Sequence, residues 1–178
     1  MRIVIIGAGN AGRQLAKRLC EEKHSVVMVD ADPLALAQAE AGLDVLSVCG
    51  QGSNPAVLEE AQAEKSDLLI AVTDNDEVNI LACLLGHAAG VKGKIARVTN
   101  PAFLNSSSSY DLKKMGIDLV INQKPECARE VYNMLQTPGA LEAFDLFAGK
   151  VMVAGFSVNA MSPLLDRTPA ECDRLDLI

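Results

Sequence analysis

A chain of 178 residues, 49% hydrophobic but only 3% aromatic, is long enough for one good core and a small appendage, and that core must be built from Val, Leu, Ile and Ala. A net charge of −7 with no basic stripe argues against nucleic acid as a partner and against a polybasic membrane anchor. No apolar run is long enough for a membrane span or a signal peptide, and five scattered cysteines without a C-x-x-C indicate neither a metal site nor a disulfide framework, so a cytoplasmic protein is expected.

Arg2–Ile6 reads as a buried strand that breaks into Gly7-Ala8-Gly9-Asn10-Ala11-Gly12, a G-x-G-x-x-G. A helix follows over Ala11–Lys23, and Ser25–Asp30 is a second strand ending in a carboxylate. Asp32-Pro33 starts a helix, with a cap residue followed by Pro at the first helical position, and Gly42 ends it after Ala41. Leu43–Cys49 is a third strand, and Ser53-Asn54-Pro55 opens another capped helix, to Ala61. Ser66–Val72 is a fourth strand, Asp74–Ala89 a long helix, Lys94–Val98 a fifth strand. A polar helix is expected over Asn105–Met115, containing the run Ser106–Ser109, then a short strand Leu119–Ile121 and a helix Pro125–Leu135. The pattern changes after Thr137-Pro138-Gly139. Leu141–Phe147 and Lys150–Ser157 read as an antiparallel hairpin across Ala148-Gly149, with a helix-like stretch near Pro169–Arg174.

Strands alternating with helices predict an α/β fold: a doubly wound, parallel, six-stranded sheet of Rossmann type in the order 3-2-1-4-5-6, with right-handed crossovers. Its crevice lies between strands one and four, faced by Gly7–Gly12 and Thr73–Asp76. The expected division is a nucleotide-binding domain over 1–137, and a linker with the truncated start of a second domain over 138–178.

The glycine spacing has a chemical reason. Gly7 allows the tight turn, Gly9 lets backbone approach a pyrophosphate, and Gly12 lets helix and strand pack closely, so that the N–H groups and dipole of the helix hold phosphate. Asp30 can accept from both ribose hydroxyls and would repel a 2′-phosphate, which favours NAD or an adenine nucleotide over NADP. The pair Gly50 and Gly52, in Cys49-Gly50-Gln51-Gly52-Ser53, either admits an adenine or serves an ordinary turn and cap. Arg97 stands in a strand expected to be buried and needs an anion: a ligand phosphate, or Asp74, Asp76 or Glu77. Thr73 can cap the next helix or meet the nucleotide, and the acids from Asp74 to Glu77 complement that helix's dipole. His24 and His87 have no partner arrangement expected of a base, and no G-x-S-x-G or P-loop lysine occurs. With at most a fragment of a substrate domain, the nucleotide is expected to be sensed rather than turned over, and the chain is not expected to be an enzyme.

The ordered set Gly7-Ala8-Gly9-Asn10-Ala11-Gly12, Val29-Asp30, Gly50-Gln51-Gly52-Ser53-Asn54-Pro55, Ala71-Val72-Thr73, Asp76-Glu77-Val78-Asn79 and Ile95-Ala96-Arg97 resembles the TrkA family of potassium-uptake regulators, whose nucleotide-binding unit is an RCK or KTN (TrkA-N) domain. The resemblance covers nearly the whole chain. It implies binding of NAD(H), ATP or ADP, and assembly as a homodimer or larger ring at the inner face of the membrane, where ligand exchange gates a potassium transporter or channel. By position it assigns Gly7, Ala8, Gly9, Asn10 and Ala11 to the phosphates, Asp30 to the ribose, and Gly50, Gln51, Gly52, Ser53 and Thr73 to the adenosine side, with Gly12, Ala31 and Asp74 in the same cofactor-binding set. Arg97 would reach phosphate or the second half of the ligand. The helix 125–135 would be a crossover helix, with Val131, Tyr132 and Leu135 as dimer contacts. Two positions depart from the pattern. Asn10 stands where ATP-binding relatives often carry Arg, which weakens the case for ATP and leaves NAD(H) in front. Gln51 stands where many have Asp. Two other readings are an NAD-dependent oxidoreductase fragment and a structural dimerisation module with a permanently bound nucleotide.

Overall fold

The computed structural model describes residues 1–104, 111–146, 149–160, 162, 164–168 and 171. The chain divides into two compact units, Met1–Gln123 and Lys124–Ile178.

The first unit contains β1 (Arg2–Ile6), α1 (Asn10–Glu21), β2 (Ser25–Asp30), α2 (Pro33–Glu40), β3 (Leu46–Cys49), α3 (Pro55–Glu60), β4 (Leu68–Ala71), α4 (Asp76–Ala88), β5 (Gly93–Arg97) and β6 (Leu119–Ile121). The strands form one parallel sheet in the order β3-β2-β1-β4-β5-β6, as expected from the alternation. β1 lies in its middle, and Ile3 through Ile6 are fully buried. Successive strand side chains point to opposite faces, so each strand feeds two cores. Val4, Ile6, Val27, Val29 and Leu69 pack with Leu58, Ala82 and Cys83 on the α3/α4 face. Ile3, Ile5, Val26, Met28 and Ile70 pack with Ala16, Leu36 and Ala39 on the α1/α2 face. Burying each of these larger side chains contributes about 1.5–3 kcal/mol, which is why a nearly aromatic-free composition suffices.

Local signals set most helix starts. Asp32 caps α2, its Oδ1 accepting from the Leu34 N–H at 2.9 Å with Pro33 next in line. Asn54 caps α3 in the same way through Ala56 N–H, followed by Pro55. Helix α4 starts two residues later than expected, because Asn75 is the cap and accepts from Val78 N–H at 2.9 Å. β3 is shorter than expected, because the Leu43 N–H is still engaged by Ala39 O at the end of α2. Two short 3-10 turns, Ala63–Lys65 and Pro101–Phe103, were not anticipated. Of the expected polar helix 105–115, residues 105–110 lie outside the described residues, and 111–115 form a turn closed by Met115 N–H on Asp111 O before Gly116 at φ +98°.

The second unit holds α5 (Gln123–Gln136, its first residue the last of unit one) and an antiparallel hairpin of β7 (Glu142–Leu146) and β8 (Val151–Gly155), registered from Glu142 opposite Gly155 to Leu146 opposite Val151. β8 stops short of its expected end at Ser157, and Phe147, the expected end of β7, lies outside the described residues. Buried Asn133 on α5 donates through Nδ2 to Asp145 on β7 at 3.2 Å. The stretch expected to be helical over 169–174 lies, apart from Glu171, outside the described residues. Among the described residues no helix is long and apolar enough to cross a membrane.

One contact positions α1. A Cβ on Gly12 would overlap the Gly7 carbonyl oxygen, a backbone atom with no freedom to yield. Gly12→Ala should therefore destabilise the fold by about 2 kcal/mol or more. Gly42→Ala, where a Cβ meets open space, should stay within roughly 0.5 kcal/mol of the parent. Urea unfolding of the two variants checks the contrast.

Candidate functional site

At the carboxyl ends of β1, β2 and β4, where the strand order reverses, the first unit opens into a cavity of about 630 Å³. Its walls include Gly7, Gly9, Asn10, Ala11, Asp30, Ala31, Gly50, Gln51, Gly52, Thr73, Asp74 and Arg97, all singled out from the sequence. Asn75, within the segment Thr73–Asp76 expected to face the crevice, also lines it, and Ile6, Val29, Val72 and Val78, to which no site role was assigned, complete the lining. The remaining three expected residues are placed elsewhere. Ala8 is fully buried behind the turn, Gly12 is packed on the Gly7 carbonyl, and Ser53 lies outside the lining.

The glycine turn is built from its backbone. Gly7 takes φ +110°, where its missing side chain also leaves room for the Thr73 amide. Gly9 caps α1 with no side-chain hydrogen bond, and a Cβ there would meet open space on the cavity side. The first N–H groups of α1 thus face the cavity with the positive end of the helix dipole.

Asp30 ties this turn to the next helix. Its Oδ2 accepts from Ala8 N–H at 2.6 Å and its Oδ1 from Asp32 N–H at 2.8 Å. A carboxylate has about four acceptor sites, so lone pairs remain for ligand hydroxyls. Gly50 and Gly52 resolve towards packing: a Cβ on Gly50 would strike Val57, and one on Gly52 would strike Ile6. Their backbone lines the cavity because α3 and β1 press it there.

The opposite wall depends on a residue that the motif analysis left without a role. Asn79, fully buried on α4, accepts from Thr73 N–H (2.9 Å) and Thr73 hydroxyl (2.7 Å) through Oδ1, and donates through Nδ2 to Thr73 O and Arg97 O, each at 2.9 Å. One amide thereby joins the ends of β4 and β5. The Arg97 guanidinium donates to Thr73 O at 2.7 Å and pairs with Asp74, whose side chain is fully exposed. Of the anions offered by the sequence, Asp74 is therefore engaged, and Arg97 still lines the cavity. Asp76 does more than complement a dipole: its carboxylate accepts from the Thr99 amide and hydroxyl and from the Asn100 amide at 2.7–3.0 Å. Partial burial pushes its pKa up, but those hydrogen bonds, with Arg97 nearby, outweigh burial and hold the carboxyl below its usual 3.8. Burial pushes the Cys83 thiol up to about 12 and its Sγ donates to Ile95 O, so it is an inert core residue, whereas Cys49 and Cys127 are exposed. No cluster of metal-ligating side chains occurs among the described residues.

The cavity suits a dinucleotide: it has room, an uncapped helix N-terminus for phosphate and a carboxylate with acceptor capacity to spare. The model of the TrkA-N domain matches residues 3–123, which is this sheet and both walls of the cavity. The chain belongs to the TrkA-N family. The Trk system potassium uptake protein TrkA of Azorhizobium caulinodans is 39% identical over 169 residues, covering 93% of this chain and 37% of that protein. The chain thus spans a little over a third of such a relative. Among solved structures, the TrkA-N domain of the inner membrane protein ybaL from Escherichia coli superposes with TM-score 0.63 at 20% identity, over 76% of this chain and 94% of that one. The GsuK channel bound to NAD gives TM-score 0.63 at 20% identity, over 83% of this chain and 26% of that one, and GsuK bound to ADP is similar. At such identities the likeness is one of fold.

Asn79→Leu removes four hydrogen bonds from a buried position and should cost about 2–4 kcal/mol, read by urea unfolding. Asp76→Asn tests the electrostatics. A depressed carboxylate contributes stability above its unfolded pKa and loses it as the pH falls through its folded value. The variant should be less stable than the parent at neutral pH, and the gap should close below pH 3.8, in thermal melts taken across pH.

Proposed function

We propose that this chain is the nucleotide-binding part of a regulatory subunit of a potassium transport system. It binds NAD(H), or an adenine nucleotide, in the cavity between β1 and β4, and hands the bound state to a membrane potassium transporter or channel. It works as a cytoplasmic protein held at the inner face of the membrane through that partner. The observation that carries the reading is the juxtaposition, in one cavity, of the open face at Gly9 and the carboxylate of Asp30, in a TrkA-N domain. The name of the Azorhizobium relative and the NAD and ADP complexes of GsuK support it.

Binding and not turnover is the role of the site. Every ionisable side chain of the cavity (Asp30, Asp74 and Arg97) already has a partner fixing wall geometry, which leaves no group poised for proton transfer. The same satisfaction favours an exchangeable ligand over a permanent one, since buried polar groups of these walls do not need a ligand to be paired. Regulation then requires the nucleotide to bind two states of the assembly with different affinity. Exposed Val131, Tyr132 and Leu135 on α5 (58%, 60% and 73%) support a homodimer or larger ring formed through that helix. Residues 1–137 would act as the nucleotide domain with its crossover helix, and 138–178 as the beginning of a second ligand domain.

Calorimetric titration tests the ligand. NADH should bind at least tenfold more tightly than NADPH, because Asp30 meets the 2′ position, and Asp30→Ser should narrow that gap. Failure of NAD(H), ATP and ADP to bind at millimolar concentration would overturn the reading.

A further inference from the structure

A second concavity adjoins the first. The groove between α1 and α2, about 310 Å³, is lined by Ala39, Gly42 and Leu43 together with the polar Asn10, Arg13, Gln14, Lys17 and Gln38, and Asn10 also lines the nucleotide cavity. Arg13 and Lys17 stand one helical turn apart and so share a face of α1. No acidic residue lines the groove, and neither cation enters an ion pair with any described residue. Arg13 is nevertheless oriented. Its Nη1 donates to Gln38 Oε1 of α2 at 2.9 Å and its Nη2 to Asn10 Oδ1 at 3.2 Å. Both acceptors are neutral amides, so the guanidinium is aimed by the two walls while its charge stays uncompensated, in a chain of net charge −7. Phosphate is the complementary ligand, because a guanidinium offers it paired N–H donors and full charge.

We propose that this groove is a subsite for a terminal phosphate. Resting on the reading that adenosine sits against Asp30, the outer phosphates of ADP or ATP run over Gly9 and past Asn10 into reach of Arg13 and Lys17. The pyrophosphate of NAD(H) is closed by a ribose at both ends and has no terminal phosphate to present. Arg13 and Lys17 therefore separate adenine di- and triphosphates from the dinucleotide within one cavity. The shared chemistry, a polyphosphate end, can also come from free polyphosphate.

The test titrates the full chain with ATP, NADH and inorganic tripolyphosphate, comparing the parent, R13Q/K17Q and Q38L. In R13Q/K17Q the affinity for ATP should fall about tenfold, NADH should stay within about twofold, and tripolyphosphate binding should be lost. Q38L removes the helix-to-helix bond but keeps the cation. With Arg13 no longer aimed from α2, ATP should weaken about threefold, less than in R13Q/K17Q, while NADH stays within about twofold. Competition between tripolyphosphate and ATP in the parent would mark the nucleotide's own terminal phosphate as the occupant, and simultaneous binding would mark a separate anion. The proposal is overturned if R13Q/K17Q leaves ATP binding unchanged, if it weakens ATP and NADH equally, or if the parent does not bind tripolyphosphate. If the parent binds tripolyphosphate but neither nucleotide, the cavity reading falls while the anion subsite stands.

Discussion

Helix α1 can begin where it does only because position 12 has no side chain. The Gly12 α-carbon lies against the Gly7 carbonyl, so the first turn of the helix is held on the end of β1, at the point where the strand order reverses. Everything on that wall follows from this contact. The free N–H groups of α1 open into the cavity, the turn at Gly7 leaves room for Thr73, and the Ala8 amide comes within 2.6 Å of Asp30. A helix N-terminus open to the cavity, a carboxylate held beside the turn and the packing of helix on sheet are consequences of one steric allowance.

The other wall is held by hydrogen bonds rather than by close packing. Asn79 is a buried amide with its donors and acceptor paired, and what it pairs are the chain ends of β4 and β5. Asp76 anchors the segment beyond β5 to the start of α4. Buried polar networks of this kind are costly when partly satisfied and rigid when complete. The cavity is consequently a preformed recess between a sterically fixed wall and a hydrogen-bonded one, which suits a ligand that comes and goes.

How much of this was legible in the sequence depends on range. The strands β1, β2 and β4, the glycine turn, Asp30 and the capped starts at Asp32-Pro33 and Asn54-Pro55 are signalled by residues close in the chain, and all were readable. Asn79 was not, except within the family resemblance. A single asparagine inside a helix has no pattern of its own, and its partners are six and eighteen positions away. The roles of Gly50 and Gly52 were undecidable for a similar reason, since only the packed structure brings Ile6 and Val57 against them. Arg97 could be seen to need an anion, but the choice of Asp74 over its neighbours depends on where α4 begins, and that start was misplaced by two residues. The groove around Arg13 is a product of how α1 meets α2, which periodicity does not specify.

The central claim is that a nucleotide engages the uncapped start of α1 and the Asp30 wall while leaving the hydrogen-bonded core intact. Amide hydrogen exchange, with and without saturating NADH, tests it most directly. Slowed exchange concentrated at Gly9–Ala11 and Gly50–Gly52, with little change at the already buried β1 amides, is the expected result. No slowing in these segments, or slowing confined to the C-terminal hairpin, would contradict it.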